Sequence, residues 1–252
     1  MNNIDAISWS DVRSTKFDMA ILPWGATEPH NLHLPYTTDN LLSKAISLDS
    51  AKKASAMGVN AVVLPAIPFG SQNPGQTDYL FCIHARTETQ MAILRDIVTS
   101  LHRQGIRKLV IINGHGGNNF TGFIRDLAVE YPDFQIVASE YYKTIDVRPF
   151  FDEAGDHAGE LETSLMLHYF PELVKPQEGW GKGESKEFSI KSLKERKFWL
   201  PRNWAAVSED TGIGNPQHAT AEKGKIYAEA VTQKIAEFFS DFVSTSAEEL
   251  YE

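Results

Sequence analysis

The sequence predicts an α/β fold, a three-layer α/β/α sandwich with a mainly parallel central sheet, on three observations. Short, almost wholly apolar runs of strand length alternate with stretches of helical periodicity. One of them, KLVIIN (residues 108–113), shows no polar alternation, as expected of a strand covered on both faces. Strand, helix and strand in repeated order call for right-handed crossovers, and hence for parallel neighbours.

The elements follow in order. FDMAILPWG (17–25) reads as a strand, and residues 39–58 as a helix closing on Gly58, which suits a C-cap. VNAVVLPAI (59–67) is the next strand. After the irregular PFGSQNPGQTDYLFCIHA, residues 87–104 read as a helix, with Thr87 and Gln90 at capping-box spacing and Gly105 at the stop. Strand 108–113, helix 118–131, strand 135–142 and helix 160–170 come next, and residues 221–243 form a long amphipathic helix. Residues 171–218 break this rhythm. They are rich in Gly, Pro, Lys and Trp and read as a long excursion from one domain spanning residues 1–252, not as a second domain.

Composition narrows the function classes. With 252 residues, 42% of them hydrophobic, the chain can bury a sizeable core without disulfides, and its single cysteine, Cys82, cannot form an intrachain bridge. The N-terminal residues lack the basic and apolar regions of a signal peptide, and the apolar runs are far shorter than the roughly 20 residues of a membrane helix. A cytoplasmic protein with no membrane partner is expected. A net charge of −9 repels nucleic acid and anionic lipid. The one basic stretch, SIKSLKERKFWLPRNW (189–204), is flanked by acidic residues and reads as a solvated face.

Three polar clusters carry candidate chemistry, two of them at strand ends, where α/β sites gather. The first, GATEPHNLHLPYTTDN (25–40), holds Glu28, His30, His33 and Asp39. In extended chain Glu28 and His30 share a face, and Asp39 returns to them from the next helix start. Two carboxylates and an imidazole suit Zn, Mn or Fe; the alternative is helix caps, Arg pairs and hydrogen-bonded loop histidines. The second, NGHGGNN (113–119), sets His115 among Gly114, Gly116 and Gly117, which permit close backbone approach and positive φ. It reads as a further ligand or as a tight turn; its spacing matches no dinucleotide or Walker loop. The third, GDHAGELETS (155–164), offers Asp156, His157, Glu160 and Glu162: His157 next to Asp156 suits acid–base work, a carboxylate can supply another metal ligand, and Glu160 fits a helix first turn.

No G-x-S-x-G elbow occurs. Cys82 with His84 lacks an orienting third group and reads as a small buried hydrophobe. Trp180, Trp199 and Trp204 either line a pocket or pack the excursion onto the body.

These clusters, in this order, resemble the creatininase (creatinine amidohydrolase) family of metal-dependent hydrolases. The likeness extends over nearly the whole chain, through ISWSDV, ILPWGATEPHNLHLPYTTD, VLPAIPFG, GIRKLVIINGHGGN, DHAGELETSLML and GIGNPQHATAEKG. It implies two divalent cations per chain (Zn, Mn or Fe), one held by Glu28, His115 and a bridging Asp39, the other by His30 and Asp39. It also implies proton transfer by His157 and a homo-oligomer, hexameric in the family. The chain departs from creatininase at Gly116 and Gly117, where creatininase has an aromatic residue and a metal-binding Glu, and at Glu153, where it has a substrate-covering Trp. Glu162 is the candidate replacement ligand. His33 is expected to orient a ligand, and Asp156 or Glu162 to orient His157.

The expected function is therefore two-metal hydrolysis of a small-molecule amide, cyclic or formyl, outside peptides. The rivals are a catalytically silent metal-binding or regulatory protein and a peptide-processing metallohydrolase.

Overall fold

The structure, a computed structural model, describes residues 3–251. Four parallel strands, β1 (Met19–Trp24), β2 (Ala61–Val63), β3 (Lys108–Asn113) and β4 (Gln135–Glu140), lie in the order β2-β1-β3-β4. Eight α-helices accompany them among the described residues: α1 (Trp9–Val12), α2 (Thr38–Ala56), α3 (Thr87–Arg103), α4 (Thr121–Glu130), α5 (Glu160–Tyr169), α6 (Lys191–Lys194), α7 (Trp204–Val207) and α8 (Ala221–Ser244).

The strand period of two divides the core into two layers. Met19, Ile21, Val110 and Ile112 face Leu42 and Ile46 of α2, Leu165 of α5 and Val231 and Phe239 of α8. Ala20, Leu22, Trp24, Leu109 and Ile111 face Leu94 and Val98 of α3 and Leu127 of α4. The three-layer α/β/α sandwich is thus present. From β1 the chain leaves through α2 on one face, and from β3 through α4 on the other. The carboxyl ends of these adjacent strands therefore open a crevice at a topological switch point, the usual site position in open α/β sheets.

Several local expectations change. The second strand stops at Val63, because Pro65 has no N–H for the ladder and residues 64–67 follow β1 only through scattered bonds such as Ile67 N–H to Pro23 O (3.0 Å). The fourth ends at Glu140, after which Tyr141–Lys143 wind into a 3₁₀ turn. Helix α3 has no capping box: Thr87 is its first residue, and the buried Gln90 donates instead to Ser71 Oγ (2.7 Å) and Ala85 O (2.9 Å). Gly58 and Gly105, at φ +89° and +87°, do end α2 and α3 in the left-handed conformation.

The excursion holds α6 and α7 and lies across the carboxyl ends of the strands. Its Trp180 ring stacks on His33 (4.8 Å), its Gly181 N–H donates to Asn31 Oδ1 (3.0 Å), and Asn31 N–H donates to Thr211 Oγ1 (2.9 Å). No described helix is long and apolar enough to cross a membrane.

Candidate metal centre

Asp39 sits in the first turn of α2, where the helix dipole favours a carboxylate. Two glycines let that turn press against the strand ends. A Cβ on Gly25 would lie 2.5 Å from Asn40 Oδ1, and one on Gly114 would lie 2.7 Å from Asp39 O. The carboxylate is thereby wedged between the ends of β1 and β3. Glu28, His30 and Asp39 are all about 1% exposed and His115 is 5% exposed.

Asp39 Oδ1 lies 2.9 Å from His30 Nε2, and Oδ2 lies 3.2 Å from His115 Nδ1. Glu28 Oε1 faces the same His115 nitrogen at 2.8 Å and His157 Nδ1 at 3.7 Å. Each of these histidines anchors its other nitrogen on a backbone carbonyl: His30 Nδ1 on Glu28 O (3.0 Å), His115 Nε2 on Ser71 O (2.7 Å) and His157 Nε2 on Pro29 O (2.9 Å). An N–H donated to a carbonyl fixes the ring and turns the other nitrogen into the cluster, the arrangement typical of metal-ligating histidines.

Three groups of side chains have ligand atoms close enough to share an ion: Glu28, Asp39 and His115; His30, Asp39 and Glu162; and Glu28, His30 and His157. Glu162 reaches the second from the first turn of α5, with its Oε2 accepting Ala158 N–H at 2.5 Å.

The charges bear on one another strongly. Burial alone would strip His30 of its proton, but Asp39, then Glu162 and Glu28, outweigh it and push the imidazole up to about 10. Against the same burial penalty, Glu28 and Asp39 hold His115 well above its ordinary value. Burial opposes ionisation of Glu28 and Asp39 too, yet the histidines keep both carboxylates below their usual range. Burial raises Glu162 to about 7 against the pull of His30. His157 is shifted the other way, held neutral by burial and by His30 beside it, at a ring distance of 4.1 Å.

Some sequence-predicted residues stand elsewhere. Asp156 does not orient His157; its half-exposed carboxylate pairs with Arg202 Nη1 at 2.7 Å, and the Pro29 carbonyl holds the imidazole instead. His33 orients no ligand: its Nε2 meets Thr163 Oγ1 (2.8 Å), and burial lowers it to about 4. None of Gly114, Gly116 and Gly117 has positive φ, so close approach explains Gly114 and Gly117, and neither backbone conformation nor close approach requires Gly116. A Cβ on Gly117 would lie 2.1 Å from Ser71 O, leaving no room for a ligand side chain there on this backbone, whereas one on Gly116 would meet only Tyr142 Oη at 3.5 Å. Glu160 is buried against Lys223 and not merely a dipole residue. Cys82 is half-buried, its thiol pushed by burial up to about 12.

The tryptophans divide. Trp204 is buried with its ring 5.2 Å from His157, Trp180 covers His33, and Trp199 is 85% exposed. Sequence reasoning missed Gln76, 1% exposed, whose Nε2 donates to Glu28 Oε2. It also missed the three anchoring carbonyls. A loop glutamine and backbone oxygens carry no sequence signal.

Comparison with known proteins agrees with this geometry. The family model described as creatinine amidohydrolase (Creatininase) matches residues 5–239. A solved structure of a candidate creatinine amidohydrolase from Bacteroides fragilis superposes with a TM-score of 0.94 at 50% identity, covering 100% of this chain and 98% of that one. The mycofactocin precursor peptide peptidase of Mycobacterium tuberculosis is 30% identical over 213 residues, 81% of this chain and 78% of its own. The creatinine amidohydrolase of Pseudomonas putida is 30% identical over 176 residues, 61% and 65% of the two chains. With a family model covering most of its length, and with such relatives, the chain belongs to the creatininase family of hydrolases.

Proposed function

We propose that the chain hydrolyses a small-molecule amide C–N bond outside peptides, a cyclic amide or a formamide, with two divalent cations. The observation that carries this reading is Asp39. Its two oxygens face His30 and His115, and Oδ2, buried, has no hydrogen-bond partner although it lies 3.2 Å from His115 Nδ1. With His115 Nε2–H donated to Ser71, oxygens of Asp39 and Glu28 and Nδ1 of His115, whose proton a cation would displace, converge on one point. Such a donor set fits a cation of the Zn, Mn or Fe kind. Glu28, Asp39 and His115 would hold one ion, and His30, Asp39 and Glu162 the other.

Bound there, the cations supply Lewis acidity that polarises the amide carbonyl and eases deprotonation of water. His157 supplies the proton path. Its Nδ1 lone pair points into the cluster, its neutrality is enforced by burial, and it can take a proton from water and deliver it to the departing nitrogen. Trp204 and the excursion exclude bulk water around that imidazole.

The test strips the protein with chelator, reloads it with Zn or Mn, and assays a panel of cyclic amides, formamides and short peptides. Metal-dependent turnover of a cyclic amide or formamide, abolished in Asp39→Ala and in His157→Gln, is expected. Silence across the panel would favour a binding or regulatory protein, a role for which the loss of the creatininase side chains at Gly116, Gly117 and Glu153 speaks. Cleavage of peptides alone would favour peptide processing, the reading supported by the mycobacterial relative. The proposal includes a homo-oligomer, checked by light scattering.

A further inference from the structure

We propose that Gln76 is a positioning residue for the centre, restricting Glu28 to a single metal-facing oxygen. This rests on the two-cation reading above. Glu28 Oε2 accepts Gln76 Nε2–H, while Oε1 faces His115 and His157. The amide cannot turn over, because its other end, Oε1, accepts Asn73 N–H at 2.6 Å. Glu28 is thereby kept from swinging both oxygens onto one cation, which leaves a position free for substrate or water.

The loop that carries Gln76 is held from outside the strands. Gly75, at φ +82°, lies so close to α7 that a Cβ there would sit 2.7 Å from Asn203 Oδ1 and 3.1 Å from Ala205 N. Trp204 N–H donates to Pro74 O at 2.7 Å. The helix that lays Trp204 beside His157 therefore also seats Gln76 on Glu28. Docking of the excursion and the geometry of one ligand are a single mechanical unit. If Gln76 were only a loop brace, its Asn73 bond would suffice and a buried amide N–H aimed at a carboxylate would be unnecessary.

The experiment uses calorimetric titration of chelator-stripped full-length protein with ZnCl₂, in Gln76→Met and Gln76→Glu. The first keeps the side-chain volume and removes the donor; the second keeps the shape and turns the donor into an acceptor. Each is repeated with Glu162→Gln, which disables the other cluster and assigns the remaining ion. In Gln76→Glu the ion of Glu28, Asp39 and His115 is expected to weaken roughly 10–100-fold, the usual cost of losing an orienting partner, with the other ion nearly unchanged. Mn²⁺ paramagnetic resonance of Gln76→Met should show a changed ligand field at that ion. Unchanged affinities and spectra in both variants overturn the proposal. So does parallel weakening of both ions with a lowered melting temperature, the signature of a brace. Wild-type protein that binds no Zn overturns the two-cation reading itself.

Discussion

Gly117→Ala should disable the centre while its neighbour Gly116→Ala does not. A Cβ at residue 117 would lie 2.1 Å from Ser71 O and 2.5 Å from His115 Nε2, pressed against both atoms of the 2.7 Å bond that fixes the imidazole. An ordinary carbon–oxygen contact is longer by more than an ångström, so one partner must move. Ser71 resists, because its N–H donates to Asn118 Oδ1 (3.1 Å) and its Oγ accepts Gln90 Nε2–H (2.7 Å). His115 is then the group that turns, losing both its carbonyl anchor and the aim of Nδ1. A lost buried hydrogen bond plus overpacking costs about 2–5 kcal/mol. For a chain of this size that lowers the melting temperature by roughly 5–15 °C. Losing the partner that orients a ligand should also weaken metal binding roughly 10–100-fold. Thermal denaturation and Zn titration of both variants supply the assay. If Gly117→Ala melts and binds like wild type, the Ser71 carbonyl does not orient His115 and the reasoning fails.

Four further outcomes follow from the same geometry. Metal uptake should release protons: His30, raised to about 10, and His115, also raised, are protonated in the metal-free protein at pH 7, so affinity should climb about a decade per pH unit for each proton displaced, and calorimetry in buffers of different ionisation enthalpy should count those protons. By the same sign, the stability that the raised His30 lends the metal-free fold is fully present below pH 6.5 and lost as pH rises through about 10, which melting curves across that range would reveal or disprove. Asp156→Ala should change stability by no more than about 1 kcal/mol, since its pair with Arg202 is half-exposed, and should leave any hydrolysis intact; strong loss of turnover would restore its role beside His157. Gly224→Ala should cost about 1–3 kcal/mol or more, because the added carbon would meet Ser164 O of α5 at 1.9 Å, whereas Gly122→Ala, with open space around it, should stabilise α4 by up to about 1 kcal/mol; equal denaturation midpoints would contradict that contrast.

By itself the sequence determined the layering, the strand-end positions of two clusters, and four residues, Glu28, His30, Asp39 and His115, that the fold brings together at the candidate centre. These features are local. KLVIIN is apolar on both faces because both faces of β3 are covered, and Glu28, His30 and Asp39 lie near one another because a short loop joins β1 to α2. Glu162 stood in the sequence as one open carboxylate of the third cluster, and only the resemblance made it the candidate replacement ligand, since its approach depends on how α5 packs beside α2. The tertiary structure alone decided which histidine nitrogen faces inward, because the deciding partners are the carbonyls of Glu28, Pro29 and Ser71, and every residue has a carbonyl. It also decided against Asp156, adjacent to His157 in the chain but turned outward to Arg202. Gln76 and Trp204 reached the site through a loop and an excursion whose composition shows no period. Their places rest on bonds between residues far apart in the chain, such as Gln76 to Glu28, and hydrophobic patterning records burial without naming such partners.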